Sequence, residues 1–191
     1  MPDRRIKRTK TNIYTALVSL LFERDIRNIT VKELCEKADV NKSTFYLHFM
    51  DIYDCKEKWQ NEMFDEILSK VDDFSLDKVV HAPEVYIRSV VTYFQENLDF
   101  YQKLASSPLA PEFSYNLKNK LSEKIIASNN LSTTDNQWEI TMVAFIMGGI
   151  MDSCLINISH FDTEKLINLL NQLSDSIALY VKTHEKPKEK N

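Results

Sequence analysis

Apolar residues recur through most of the chain at intervals of three and four, the spacing of one face of an α-helix. A first helix is expected over 8–24, with Ile13, Ala16, Leu17, Leu20 and Leu21 as its buried stripe, and "DIRN" (25–28) ends it. The next start carries several agreeing signals. Thr30 stands as N-cap, Glu33 three residues on completes a capping box, and Ile29 with Leu34 forms a hydrophobic staple. This second helix runs to about Ala38. Asp39, Val40 and Asn41 then leave a break of only three residues before Asn41 caps a third helix, so the two helices must cross steeply, with Val40 filling the angle. Longer helices are expected over 52–71, 83–97, 100–107, 111–129, 135–158 and 163–183. Pro83 and Pro111 suit first helical positions, Thr134 and Gln137 form a second capping box, and Asp162 caps the last helix.

With two glycines and five prolines in 191 residues, the chain reads as all-α. Its charge is uneven. Residues 1–61 hold 12 Lys and Arg against 9 Asp and Glu, whereas the rest holds 12 against 19. The front of the chain can therefore face a polyanion, and the remainder has an ordinary acidic surface. Arg4, Arg5, Lys7, Arg8 and Lys10 crowd the first ten positions, as either a nucleic-acid arm or a solvated terminus. Cys35, Cys55 and Cys154 show no metal-ligand spacing and read as reduced thiols. The opening "MPDRRIKRTK" has no apolar core, and no run approaches the ~18 apolar residues of a membrane span. The expectation is a cytoplasmic protein without a membrane partner.

The third helix carries the chemistry. At 100° per residue Phe45 and Phe49 turn into the core, while Ser43, Thr44 and Leu47 lie opposite, flanked by Tyr46 and His48. Short hydroxyl side chains let a helix approach base edges in a major groove. Leu47 can meet a thymine methyl, and Lys42, Tyr46 and His48 can reach phosphates. The competing reading is a short connecting helix whose Tyr and His pack against the first or fourth helix.

These residues also carry a resemblance. "ITVKELCEKADVNKSTFYLHFMDIYDC" is similar to the DNA-binding segment of TetR-type transcriptional regulators, through Thr30, Val31, Ala38, Val40, Asn41, Thr44, Phe45, Tyr46 and Phe49. The resemblance covers about the first quarter of the chain. It implies a helix-turn-helix domain over 1–52, a larger helical sensing and dimerisation domain over 53–184, and a disordered tail over 185–191. It also implies that Thr44 and Tyr46 lie at the DNA, with Lys42, Ser43, Leu47 and His48 close by, Thr30 near the backbone, and Arg4, Arg5 and Arg8 as an arm. There are departures. Asp39 and Asp25 stand where the family usually has glycine, and Ile52 stands where it commonly places a phosphate-binding Lys, which implies weaker backbone affinity that the basic arm must offset.

One helix-turn-helix reads few base pairs, so specificity requires a dimer with half-sites ~34–36 Å apart or a multiple of that. The almost wholly apolar stretch 140–158 contains Gly148 and Gly149, which suggest close helix approach because each glycine costs a helix roughly 1 kcal/mol. The resemblance implies that the last two helices pair between subunits, with Gly148, Gly149, Asp152, Leu166, Leu170, Leu173 and Ile177 at the interface; burial inside one subunit is the alternative. It further implies an effector pocket among the aromatics of 80–130, with Tyr86, Tyr93, Phe94, Tyr101 and Phe113 as candidates, though aromatics at helical spacing equally suit a core. "YFQENLDFYQKLASS" (93–107) is similar to a subgroup that includes a regulator of dihydroxyacetone metabolism responding to a kinase-like protein, so the effector is a small molecule or a protein.

No glycine-rich phosphate loop, GxSxG or HExxH occurs, and the four histidines are isolated from one another, so neither an enzyme nor a metal or cofactor is expected. The expected function is a homodimeric regulator, a repressor, on a palindromic double-stranded operator. The alternative is a helical protein-interaction module that binds DNA weakly or not at all.

Overall fold

The computed structural model describes residues 4–70, 88, 92–132, 134–138, 140–141, 144–145, 148–149, 152, 162, 164–165, 167–169, 171–173 and 175–176, and their regular structure is helical. The elements that can be delimited are α1 (Arg4–Glu23), a 3-10 turn (Ile26–Asn28), α2 (Val31–Ala38), α3 (Lys42–Tyr46), α4 (Ile52–Ser69), α5 (Leu98–Ala105) and α6 (Ala110–Ser128). α1 opens four residues before the expected start. The basic run Arg4–Arg8 joins the helix because Arg and Lys are good helix formers, and it lies exposed. The expected stripe is buried, together with Val18.

Local chemistry explains each boundary in the first 60 residues. Asp25 adopts an extended conformation (φ −63°, ψ 144°), so no glycine is needed there, and its carboxylate accepts from the Arg27 backbone N–H. The Thr30 hydroxyl accepts from the Glu33 N–H at 3.2 Å. The Glu33 carboxylate pairs with Arg24 and so braces α2 on the end of α1. Asp39 sits in the left-handed region (φ 53°, ψ 47°). The bonds Asp39 N–H to Glu36 carbonyl and Val40 N–H to Cys35 carbonyl then close the α2 terminus as a Schellman motif. Asp51 accepts from the Tyr53 and Asp54 N–H groups and starts α4.

The residues form two compact units, Met1–Glu66 with Asp99–Leu117, and Ile67–Leu98 with Lys118–Asn191. In the first unit Ile13, Leu17, Leu34, Phe45, Phe49 and Cys55 are buried together with Tyr101, Leu104, Phe113 and Leu117. The ring of Phe113 lies 5.0 Å from Phe64 and 6.1 Å from Trp59, so the start of α6 and the middle of α4 share one aromatic core. Beside it the buried Lys56 ammonium binds both carboxylate oxygens of Glu112, at 2.6 and 2.5 Å. In the second unit Tyr93, Phe94, Leu121, Ile125 and Ile167 are buried, and ion pairs join Arg88 to Glu164 and Lys118 to Asp152. Asp162 caps there as expected, accepting from the Lys165 N–H at 3.1 Å. The Thr134–Gln137 capping box is replaced. The Thr134 hydroxyl is shared with Ser132, and Asn136 accepts from the Ser132 N–H just before helical residues resume at 137.

The helix expected over 83–97 is described only at 88 and 92–97, helical except for a turn at Asn97. The expected tail (185–191), Tyr86, Cys154, Leu166, Leu170 and Ile177 lie outside the described residues.

Candidate nucleic-acid interface

α2, its Schellman turn and α3 hold one outward face. α3 is only five residues long, and Phe45, fully buried, pins it to the core. The Phe49 N–H still returns to the Phe45 carbonyl at 3.0 Å, so Phe49 follows Phe45 inward, with their rings 5.3 Å apart. Between these anchors the backbone turns, and its outward side chains are Lys42, Ser43, Tyr46, Leu47 and Met50. Leu47 is 80% and Met50 78% exposed, far more than large apolar side chains in a monomer core. Thr44 and His48 are half-buried at the edge of this face, and Thr30 is exposed at the start of α2. The His48 ring lies 6.1 Å from that of Phe49, tilted by 57°, while its carbonyl accepts from Lys58.

Asn41 organises the polar part. Its Oδ1 accepts from the Thr44 N–H (2.7 Å), the Ser43 hydroxyl (2.6 Å) and the Thr44 hydroxyl (2.8 Å). A residue expected only as a cap thus also sets the orientation of the two hydroxyls. The sequence signal for it is an Asn followed by hydroxyl residues at the second and third positions after it.

Ile52 does not leave a gap on this face. It is 6% exposed and packs inward, because the turn at 47–51 rotates the start of α4, and Tyr53, 54% exposed, takes the surface instead. Met50 and Tyr53 were not foreseen, since a helix carried straight on through 50 does not anticipate that turn. Asp54 accepts from the Met50 N–H and from Lys58, and its carboxyl is held below the usual carboxylate range by Lys58 and then by that N–H.

The described candidate effector aromatics belong to different units. Tyr101 and Phe113 are fully buried in the first unit; Tyr93 and Phe94 are buried in the second, edge to face at 6.1 Å. A cavity of about 780 Å³ in the first unit has other walls, among them Tyr14, Val18, Phe22, Trp59, Phe100 and Lys103. Of the candidate dimer residues, Gly149 and Asp152 are exposed and Gly148 is half-buried, Leu173 is 38% exposed, and a Cβ built on either glycine meets nothing within 4 Å among the described residues.

A short helix pinned by buried aromatics, set after a three-residue turn and facing outward with small polar side chains, defines a helix-turn-helix protein. Residues 13–55 match the family model of bacterial regulatory proteins, tetR family, so the likeness lies in the helix-turn-helix segment. It is 32% identical over 96 residues to the uncharacterized HTH-type transcriptional regulator YxbF of Bacillus subtilis (strain 168), an alignment covering 44% of this chain and 25% of that relative. The match thus spans about a quarter of the curated relative's length. The fold is similar to that of a TetR transcriptional regulator from Streptococcus agalactiae 2603V, with TM-score 0.62 and 22% identity over 90% of this chain and 96% of that one. It is also similar to the dihydroxyacetone kinase operon activator DhaS, with TM-score 0.54 and 18% identity over 88% and 95%. These named matches are regulators rather than enzymes, and among the described residues no helix is long and apolar enough to cross a membrane.

Proposed function

We propose that this protein is a DNA-binding transcriptional regulator, a repressor, which sits as a homodimer on a palindromic operator and is released by an effector sensed in its C-terminal helices. The observation that carries this reading is the outward face of Lys42, Ser43, Thr44, Tyr46, Leu47 and His48, held by the buried Phe45 and Phe49. Exposed Arg4, Arg5 and Arg8 on α1 supply cationic groups for the phosphate backbone, and Thr30 caps α2. The dimer is supported by exposed Phe145, Leu169 and Leu173 on the C-terminal segments and by Gly148 and Gly149, over which no described residue lies within 4 Å of a Cβ position. Repression is the simpler sign of control, since a dimer on a promoter blocks polymerase without further machinery.

A second reading is favoured by one observation. Leu47, Met50 and Tyr53 are large apolar side chains exposed within seven positions of one another, which suits a protein partner. Salt separates the two, because phosphate contacts weaken steeply as salt rises and apolar contacts do not. The test is selection of bound fragments from the source genome, followed by fluorescence anisotropy of wild type and a Thr44→Ala/Tyr46→Phe variant over a salt series. A palindromic site lost with the variant and with salt is expected. No enriched fragment from a folded dimer, with and without candidate effectors, overturns the DNA reading.

A further inference from the structure

The hydrogen bonding around Asn41 fixes the polarity of the reading face. The Thr44 backbone N–H can only donate, so the Asn41 atom it meets is the carbonyl oxygen, which carries no proton. The Ser43 and Thr44 hydroxyls, 2.6 and 2.8 Å from the same oxygen, must therefore each give their single proton to it. What they turn outward is lone-pair density alone. In a major groove such acceptors are attracted by the adenine N6 and cytosine N4 amines and repelled by guanine N7 and O6.

The apolar part of the face narrows the choice. Leu47 and Met50, both nearly four-fifths exposed, offer no group that can pair with a guanine edge. Their natural counterpart is the thymine 5-methyl. Only the A·T pair presents an amine donor and a methyl together. The C·G pair offers the amine but no methyl. Lys42, the cation at the first position of α3, is assigned to a backbone phosphate, the contact that positions without reading sequence.

We infer that this surface reads A·T pairs, with Leu47 and Met50 on thymine methyls and the Ser43 and Thr44 oxygens on adenine amines, and that Asn41 is the positioning residue that makes those oxygens acceptors. The inference rests on the DNA-binding reading above and deepens it.

The test starts with selection from a random duplex library by the full-length protein. Anisotropy titrations of the selected duplex follow, with single thymines replaced by deoxyuridine and single adenines by purine lacking the N6 amine. An A·T-dominated half-site is expected, with about five- to tenfold weaker binding when a contacted thymine loses its methyl. A Leu47→Ala/Met50→Ala variant, folded because both side chains are exposed, should bind the thymine and uracil duplexes equally. Asn41→Asp keeps the acceptor and should keep the adenine preference, whereas Asn41→Ala should lose it while circular dichroism shows the fold retained. A G·C-dominated half-site, or a duplex indifferent to uracil at every position, overturns the inference and leaves DNA binding standing. Failure to select any duplex overturns both.

Discussion

The ammonium of Lys56, almost wholly buried, lies 2.5 Å from a carboxylate oxygen of Glu112, while Glu112 itself is half exposed. The pair bolts α4, which follows the reading face directly, to the first turn of α6. The cation has lost most of its water and depends on one carboxylate, so removing that carboxylate strands a buried charge. Solvent still reaches the glutamate side and screens the pair. Glu112→Ala should therefore lower stability by about 1–2 kcal/mol, less than a fully buried pair would cost. Lys56→Met, which removes the charge and keeps the apolar stem, should cost less, and Glu112→Ala should add little on top of it. Urea denaturation of the four proteins checks the cycle. Equal losses for the two single variants, adding fully in the double, would show that the ion pair is not what couples these helices.

Much of the first unit is legible in the sequence because its elements are bounded by local chemistry. Thr30, Asn41 and Asp162 cap where their side-chain oxygens predict, and Asp39 takes the left-handed conformation that its place at a helix end suggests. Helical periodicity places Phe45 and Phe49 inward and Ser43 and Leu47 outward because both sets lie on one short hydrogen-bonded run. The same periodicity fails past residue 47, where a turn intervenes. Ile52 consequently packs inside, and Met50 and Tyr53 surface. Non-local packing was beyond its reach as well. Nothing in the spacing of Tyr101 or Phe113 tells that they join the core containing Phe45 and Leu34, because that depends on contacts between segments some 60 residues apart.

Asp39 is one of two described non-glycine residues with positive φ, the other being Asn130. An L side chain at φ 53° crowds its own carbonyl, whereas glycine does not. Glycine also loses more freedom on folding, which offsets part of the gain. Asp39→Gly should raise stability by roughly 0.5–1 kcal/mol in equilibrium unfolding, with the helical circular dichroism unchanged. A decrease would mean that the Asp39 carboxylate contributes more than its backbone strain costs.

Cys55 is fully buried, and burial, with a smaller contribution from the neighbouring Asp54 carboxylate, pushes its thiol up to about 12 from an ordinary 9.0. The folded protein keeps this proton in the window between those values, where the unfolded thiol gives it up. Stability should therefore be unaffected by this group below about pH 9 and fall as pH rises from there towards 12. The thiolate is the species that reacts with alkylating agents, so at pH 8 Cys55 should label with iodoacetamide only after unfolding. Peptide-resolved mass spectrometry separates it from Cys35 and Cys154. Rapid modification of Cys55 in the native protein at pH 8 would refute the enclosed thiol.

Lys42 provides a test of how the proposed reading face would meet the DNA backbone. It is exposed at the first position of α3, and among the described residues no carboxylate pairs with it, so its charge is available to a phosphate. A phosphate contact releases a condensed counterion, and each one contributes about −0.9 to the slope of log K against log salt concentration on duplex DNA. Replacing Lys42 by alanine should make that slope shallower by about 1 for each reading face engaged, hence by about 2 for a dimer on two half-sites. Because phosphates carry no sequence, affinity should drop by a similar factor on the selected operator and on unrelated duplex, leaving their ratio unchanged. Leu47→Ala should do the reverse, reducing the ratio while leaving the slope alone. If Lys42→Ala instead changes the ratio and not the slope, Lys42 reaches a base edge, and guanine becomes the partner to look for.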